Sequence, residues 1–265
     1  MPAELKWLPR RAWDLRAELV HLCYSERKFP SAYNHVSVTA IPKKDGGTEP
    51  LKQRLLSIYP ALYRIEAKAW FGLLKTWLYD TLDGDLHGGI AGHECVEASW
   101  DAQAQVESSL MDKDRIVFAT YDQFKYFDSF DFKFTRNLLI AHAIPVALAD
   151  MWHRLHRDTI RRIKTGKHFG REHKVYNGVG QGDPLSLLPA LILTSIQFRA
   201  IKEKWPSLRM GAVIDDRNFR GPLREILESM SYVERFDQLA GHLLQHDKTV
   251  VAATHAADRA ALRKV

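Results

Sequence analysis

Three acids carry the strongest chemical signal in the sequence. Asp122 follows the apolar run RIVFATY (115–121), and Asp215 and Asp216 close the run RMGAVI (209–214). β-branched and aromatic runs of this kind predict strands. All three carboxylates then stand at strand ends, where a sheet meets solvent and side chains are rigidly held. Clustered carboxylates repel one another and need a cation. A hard divalent ion such as Mg²⁺, held by one or two carboxylates plus substrate phosphates, meets that need. Two such ions ~3.5–4 Å apart serve the attacking and leaving oxygens of a phosphoryl displacement. Taken alone, the Asp215-Asp216 pair also reads as an ordinary polar hairpin turn, because acids are common in turns.

Charge adds a second signal. The 265 residues carry a net charge of +6. Residues 133–180 hold ten Lys/Arg against three acids, so this segment is +7 and the remainder sums to −1. A local basic surface of this kind fits a polyanion partner, and it also fits a plain solvated face. With 46% hydrophobic and 11% aromatic residues, the composition excludes a disordered chain. No apolar run reaches the ~20 residues that span a bilayer, and MPAELKWLPRR lacks the apolar core of a signal peptide. The expectation is an intracellular protein, nuclear or cytoplasmic, without membrane contact. Cys23 and Cys95 form no disulfide framework or zinc pattern, and both are expected to be small, buried, reduced hydrophobes.

The elements that must position the acids follow from periodicity. Helices are predicted over 11–25, 60–79, 94–110, 132–142, 145–157, 184–205 and 222–242. Strands are predicted over 36–42, 115–121 and 248–254. Residues 159–165 and 171–177 form one hairpin around GKHFG, and 209–214 and 217–221 form another that turns on the two acids. From residue 115 onward this order describes an α+β layer, an antiparallel sheet with helices on one face. No repeat and no Pro/Ser-rich linker interrupts the chain.

Four strings stand in a telling order: DQFKYFD (122–128), NGVGQGDPLS (177–186), VIDD (213–216) and GHLLQHDKT (241–249). They resemble the palm motifs of reverse transcriptases of the non-LTR retrotransposon and group II intron type, typically DLSKAFD, GVxQGDPLSP, YADD and GLxINxxKT. Upstream, AIPKKDGG (40–47) and KQRLLSIYPALYRI (52–65) resemble the family's fingers segment, and HGGIAGHECVEA (87–98) resembles the loop after it. The likeness spans about residues 36–254. It implies an α+β right-hand polymerase, with N-terminal helices and fingers over 1–110 and palm over 111–265.

The resemblance also implies roles. Asp122 and Asp215 correspond to the two principal metal-binding acids, with Asp216 as a less essential neighbour, since adjacent strand residues point to opposite faces. Two Mg²⁺ ions, with Mn²⁺ as a substitute, are the implied cofactors. Lys43, Lys44 and Arg54 correspond to the cations that hold the nucleotide triphosphate, and Phe127 to the steric gate under its sugar. Gln181 corresponds to the residue beside the nascent base pair. Gly178, Gly180 and Gly182 would let the backbone approach a template closely, and Lys248 corresponds to the general acid near the leaving pyrophosphate. Arg161, Arg162 and Lys164 are expected along the template backbone. The implied partners are an RNA template, a DNA primer and deoxynucleoside triphosphates.

Departures accompany the likeness. Val213 and Ile214 replace the usual aromatic and small residue before the acid pair. No Pro follows Arg54, His93 stands where the family's loop has Arg, and Gln245 stands where it has Asn. The chain stops soon after the last predicted strand, so the family's thumb is expected to be missing. Two functions follow: RNA-directed DNA polymerase of a retroelement, or a truncated, catalytically impaired remnant that only binds nucleic acid. An RNA-dependent RNA polymerase fits less well, because GVGQGDPLS lacks that family's Ser-Gly turn with its following Thr and Asn.

Overall fold

The structure, a computed structural model, describes residues 3–43, 49, 53–90 and 92–263. Lys44 lies outside the described residues. The chain forms two compact units, each built from two separate segments: residues 1–73 with 127–186, and residues 74–126 with 187–265. The boundary expected at 110/111 falls inside the second unit.

In chain order the first unit begins with α1 (Arg10–Ser25), β1 (His35–Pro42), β2 (Gln53–Ile58) and α2 (Ala61–Leu73). The second begins with α3 (Lys75–Thr81), β3 (Leu86–His87), α4 (Cys95–Asp112) and β4 (Val117–Tyr121). At α5 (Tyr126–Ser129) the chain passes back to the first unit and adds α6 (Phe132–Ala141), α7 (Val146–Asp158), β5 (Ile160–Thr165) and β6 (His168–Lys174). The second unit is completed by α8 (Leu187–Lys204), β7 (Arg209–Val213), β8 (Asp216–Gly221), α9 (Leu223–Leu239), β9 (Val250–Ala253) and α10 (Ala256–Leu262). The single helix expected over 60–79 is two helices, broken at Leu74 where the chain changes unit.

Local chemistry sets the element ends. Asp131 caps α6 by accepting from the Phe134 amide at 2.7 Å. Glu94 and Glu97 form a capping box at the start of α4. Pro145 and Pro222 stand immediately before α7 and α9, where their missing amides cost nothing.

The first unit's sheet has the order β2-β1-β5-β6, with β1 and β5 parallel. The second unit's sheet has the order β3-β7-β8-β4-β9, with β3 and β7 parallel. Both sheets are therefore mixed, which corrects the expected purely antiparallel layer. The β5–β6 hairpin joins the first sheet because β5 pairs with the edge of β1, whose Val36 and Val38 are buried. In the second unit, Val117, Ala119 and Tyr121 alternate inward from β4 against α8 and α9, with Phe198 and Phe219 beside them. Residues 187–198 of α8 are nearly all buried, which explains why that stretch lacks a polar face, while Arg199, Glu203 and Lys204 are exposed at its end. Cys95 is exposed, not buried as expected, because it opens α4 at the surface. Among the described residues no helix is long and apolar enough to cross a membrane.

Candidate active site

The three acids lie in the second unit, at the adjoining ends of β4 and the β7–β8 hairpin. β4 ends at Tyr121, which pairs with Arg217, and the antiparallel register continued by one residue sets Asp122 across from Asp216. The β7–β8 hairpin turns on Ile214 and Asp215, and Asp216 is already the first residue of β8, paired with Val213. Asp215 thus belongs to the turn, so strand alternation does not set its direction relative to Asp216. Ile214 has φ +60°, a left-handed conformation that β-branched side chains disfavour. Such strain is held only where surroundings over-determine it. Here the Ile214 amide donates to the His87 carbonyl at 3.2 Å, and its side chain packs over Gly88.

A second connection fixes Asp122. The Phe124 amide donates to the Leu243 carbonyl at 2.8 Å, and the Gln245 amide to the Asp122 carbonyl at 2.9 Å. This segment leads into a short turn that delivers Lys248, whose ammonium donates to Asp122 Oδ2 at 2.6 Å. The His242 ring, 4.7 Å from that of Tyr126, is fully buried. Burial pushes its pKa down to about 4, with Arg217 adding to the shift and Asp237 opposing it.

The electrostatics match one shared site. Burial, then the neighbouring Asp216 charge, and more weakly Asp122, raise the pKa of Asp215. Partial desolvation and Asp122 raise that of Asp216, against the pull of Lys248. Each carboxylate makes the next harder to ionise, the relation expected of acids arranged around a cation. An all-carboxylate donor set suits a hard divalent ion, and Lys248 is the cation now on Asp122. Among the described residues, no three His, Cys, Asp or Glu side chains already stand as a metal-holding group.

Behind the acids lies a buried network that periodicity does not reveal. Arg217 pairs with Asp237 at 2.6 and 3.0 Å and also donates to Gln197, all three side chains being buried. It ties the first turn of β8 to α8 and α9. An Arg directly after two acids was its only sequence signal.

The remaining predicted residues lie in the first unit. Two backbone bonds hold α5 to the glycine segment: Val179 N to Phe127 O at 2.8 Å and Gly178 N to Phe130 O at 2.7 Å. The half-buried Phe127 is thereby held beside Val179 of the glycine segment. Gln181 O accepts from Ser57 N at 2.7 Å, which links this turn to the strand that carries Arg54. The glycines have neighbours within the unit. A Cβ on Gly178 would lie 2.8 Å from Asp128 O, one on Gly180 would overlap Tyr59, and one on Gly182 would overlap the Ser57 carbonyl. Lys43 follows β1 and is exposed. Arg161, Arg162 and Lys164 do not share one face. Register aligns Arg161 with buried Val36, and its guanidinium donates to the Gly178 carbonyl at 3.1 Å. Arg162 and Lys164 align with Ser37 and Thr39 on the opposite, outer face.

Asp183 was not among the predicted site residues. It is buried and accepts from Tyr63 Oη at 2.8 Å, Trp152 Nε1 at 3.0 Å, His156 Nε2 at 2.9 Å and the Leu185 amide at 3.0 Å. It locks the end of the glycine turn. Burial, and after it the charge of Asp183, hold the Tyr63 hydroxyl well above its ordinary pKa.

No protein-family model matches the chain, and no curated protein does. Solved structures do. The chain is similar to telomerase of Candida tropicalis bound to a fragment of telomeric RNA, with TM-score 0.64 and 15% identity over 92% of this chain and 44% of that one. It is similar to telomerase of Candida albicans in the same kind of complex, with TM-score 0.63 and 14% identity over 92% and 48%. Apo telomerase of C. tropicalis gives TM-score 0.62 at 13% identity. At 13–15% identity the likeness shows a shared fold. The chain spans about half the length of these telomerase structures.

Proposed function

We propose that the protein is an RNA-directed DNA polymerase of a retroelement, a nucleotidyltransferase whose catalytic acids are Asp122, Asp215 and Asp216. The observation that carries this reading is the placing of the three carboxylates at adjoining strand ends of a polymerase-like fold, where Asp216 and Asp122 disfavour ionisation of Asp215, and Asp122 that of Asp216. Asp122, Asp215 and Asp216 would hold Mg²⁺ or Mn²⁺, which supplies Lewis-acid activation of a primer 3′-hydroxyl and neutralises phosphate charge.

The chain's own residues do the rest. Lys248 would exchange Asp122 for a phosphate oxygen and deliver a proton to the leaving pyrophosphate. Lys43, Lys44 and Arg54 would bind the triphosphate. Phe127, bulky and without a hydroxyl, would exclude the 2′-oxygen of a ribonucleotide. Gln181, Gly180 and Gly182 would face the template, and Arg162 and Lys164 its phosphates. Primer extension on RNA and DNA templates with Mg²⁺ or Mn²⁺ tests the reading. Extension by the wild type that is lost in Asp122→Asn supports it, and extension undiminished in Asp122→Asn removes the catalytic assignment.

One observation favours the alternative of a remnant that only binds nucleic acid. The Asp122–Lys248 ion pair already occupies one of the carboxylates that would hold the metal. On that reading, wild type and Asp122→Asn bind primed template equally and neither extends it.

A further inference from the structure

The first unit's sheet has an outer face that pairing register assembles into two rows. One row runs Ile58, Ser37, Arg162, Glu172, and the next runs Leu56, Thr39, Lys164, Phe169. Arg54 lies one position further along β2, on the same face. The alternate residues Val36 and Val38 are buried on the other face, so the outer rows point away from the unit's core. Leu56 is 36% exposed, Ile58 41% and Phe169 55%. The one acid in these rows, Glu172, is paired with Arg162. Among the described residues no acid pairs with Arg54 or Lys164, so apolar side chains alternate here with cations.

We propose that this outer face is a track for single-stranded nucleic acid. Phe169 stacks on an unpaired base, Leu56 and Ile58 support its neighbours, and Lys164 holds the intervening phosphate, with Arg54 left at the end of the track for the triphosphate. The proposal deepens the nucleic-acid-binding part of the function given above and rests on it. Five features select this partner. A cationic face fits a polyanion. Apolar and aromatic side chains on that face fit exposed bases, which a duplex hides in its own stack. The Lys164 ammonium lies over one face of the Phe169 ring, 5.8 Å from its centre, so a phosphate-binding cation adjoins the ring whose other face a base would cover. A bulge between Arg162 and Lys164 re-aims β6, so that Phe169 pairs with Lys164 and joins the outer row instead of the inner one. The track also begins at a predicted template residue, since a Cβ on Gly182 would lie 3.3 Å from Leu56 Cδ1. Four-stranded sheets elsewhere stack about two or three bases in this manner.

The test is binding, measured by fluorescence anisotropy on the full chain in EDTA, where no extension occurs. The probes are a labelled single-stranded RNA and the corresponding blunt duplex. The wild type should prefer the single strand. Phe169→Ala should weaken single-strand binding about tenfold or more, with an unchanged salt dependence and unchanged duplex binding. Phe169→Trp should restore affinity and report the stacked base by quenched Trp emission. Lys164→Gln should instead flatten the salt dependence by about 0.7 in log–log slope. Because Phe169 is exposed, melting curves of both Phe169 variants should match the wild type. Single-strand affinity unchanged in Phe169→Ala, or lost in parallel with duplex affinity, overturns the track. A wild type that binds in this pattern but never extends a primer leaves the track standing and removes the polymerase. One that extends without this pattern does the reverse.

Discussion

Asp215 and Asp216 are held in a state that costs the folded protein stability. Their folded-state pKa values are raised above the ordinary 3.8. A raised carboxylate binds more protons folded than unfolded just above that value, so stability falls as pH rises through the window and the loss persists at neutral pH. Asp215→Asn should therefore raise the melting temperature at pH 7 in EDTA, and the gain should vanish below about pH 4. Added Mn²⁺ should raise the melting temperature of the wild type and not that of Asp215→Asn, because a ligand stabilises only the state that binds it. A lower melting temperature for Asp215→Asn at pH 7 would mean that the carboxylate serves structure. These acids were legible because polar residues ending apolar strands are conspicuous in one dimension. Arg217 and Asp183 were not, because their partners lie in distant segments: Asp237 for Arg217, and Tyr63, Trp152 and His156 for Asp183.

Elements are fixed here by such buried polar contacts as much as by apolar packing. The turn that precedes α8 depends on Asp183, whose two oxygens accept four hydrogen bonds. Asp183→Ala leaves those donors buried without a partner, and each orphan costs about 1–3 kcal/mol. A loss of at least ~3 kcal/mol, read as a shifted denaturant midpoint, is expected, and a loss below ~1 kcal/mol would show that the turn holds without it. The segment carrying Gln245 and Lys248 follows His242, buried and held neutral with its pKa lowered to about 4. A depressed histidine binds fewer protons folded than unfolded. Its contribution is complete above about pH 6.5 and is lost as pH falls toward 4, up to ~3 kcal/mol. His242→Gln should flatten the pH dependence of stability across that window, whatever its effect at pH 8. A wild-type slope retained in His242→Gln would assign it to other groups. Helix and strand types were mostly readable from apolar periodicity, and the β7–β8 hairpin was placed to within a residue. The break at Leu74 and the parallel β1–β5 pairing were not, since both come from which unit a segment joins.

The division into units separates two kinds of chemistry. The basic segment 133–180 falls wholly within the first unit, and Asp122, Asp215, Asp216 and Lys248 fall within the second. Each unit is made from two segments with others between them, so composition along the chain shows no boundary. The charge asymmetry was nevertheless visible, because it lies in one continuous stretch. It yields a test of whether binding and catalysis are separable in the intact chain. Phosphate contacts release counterions, so affinity falls with salt at about 0.7 in log–log slope per contact on a single strand. The Asp122→Asn/Asp215→Asn variant alters no cation, and it removes two negative charges that repel phosphate. In EDTA it should bind a primed template at least as tightly as the wild type, with the same salt slope, while failing to extend it in Mg²⁺. Arg162→Gln/Lys164→Gln should lower the slope by about 1.4 and keep its metal-dependent rise in melting temperature. These opposite outcomes are expected only if cations and acids act on different parts of the reaction. An acid-to-amide variant that loses both binding and extension, with an unchanged melting curve, would show that the carboxylates take part in holding the template, and the assignment of roles by unit would fall.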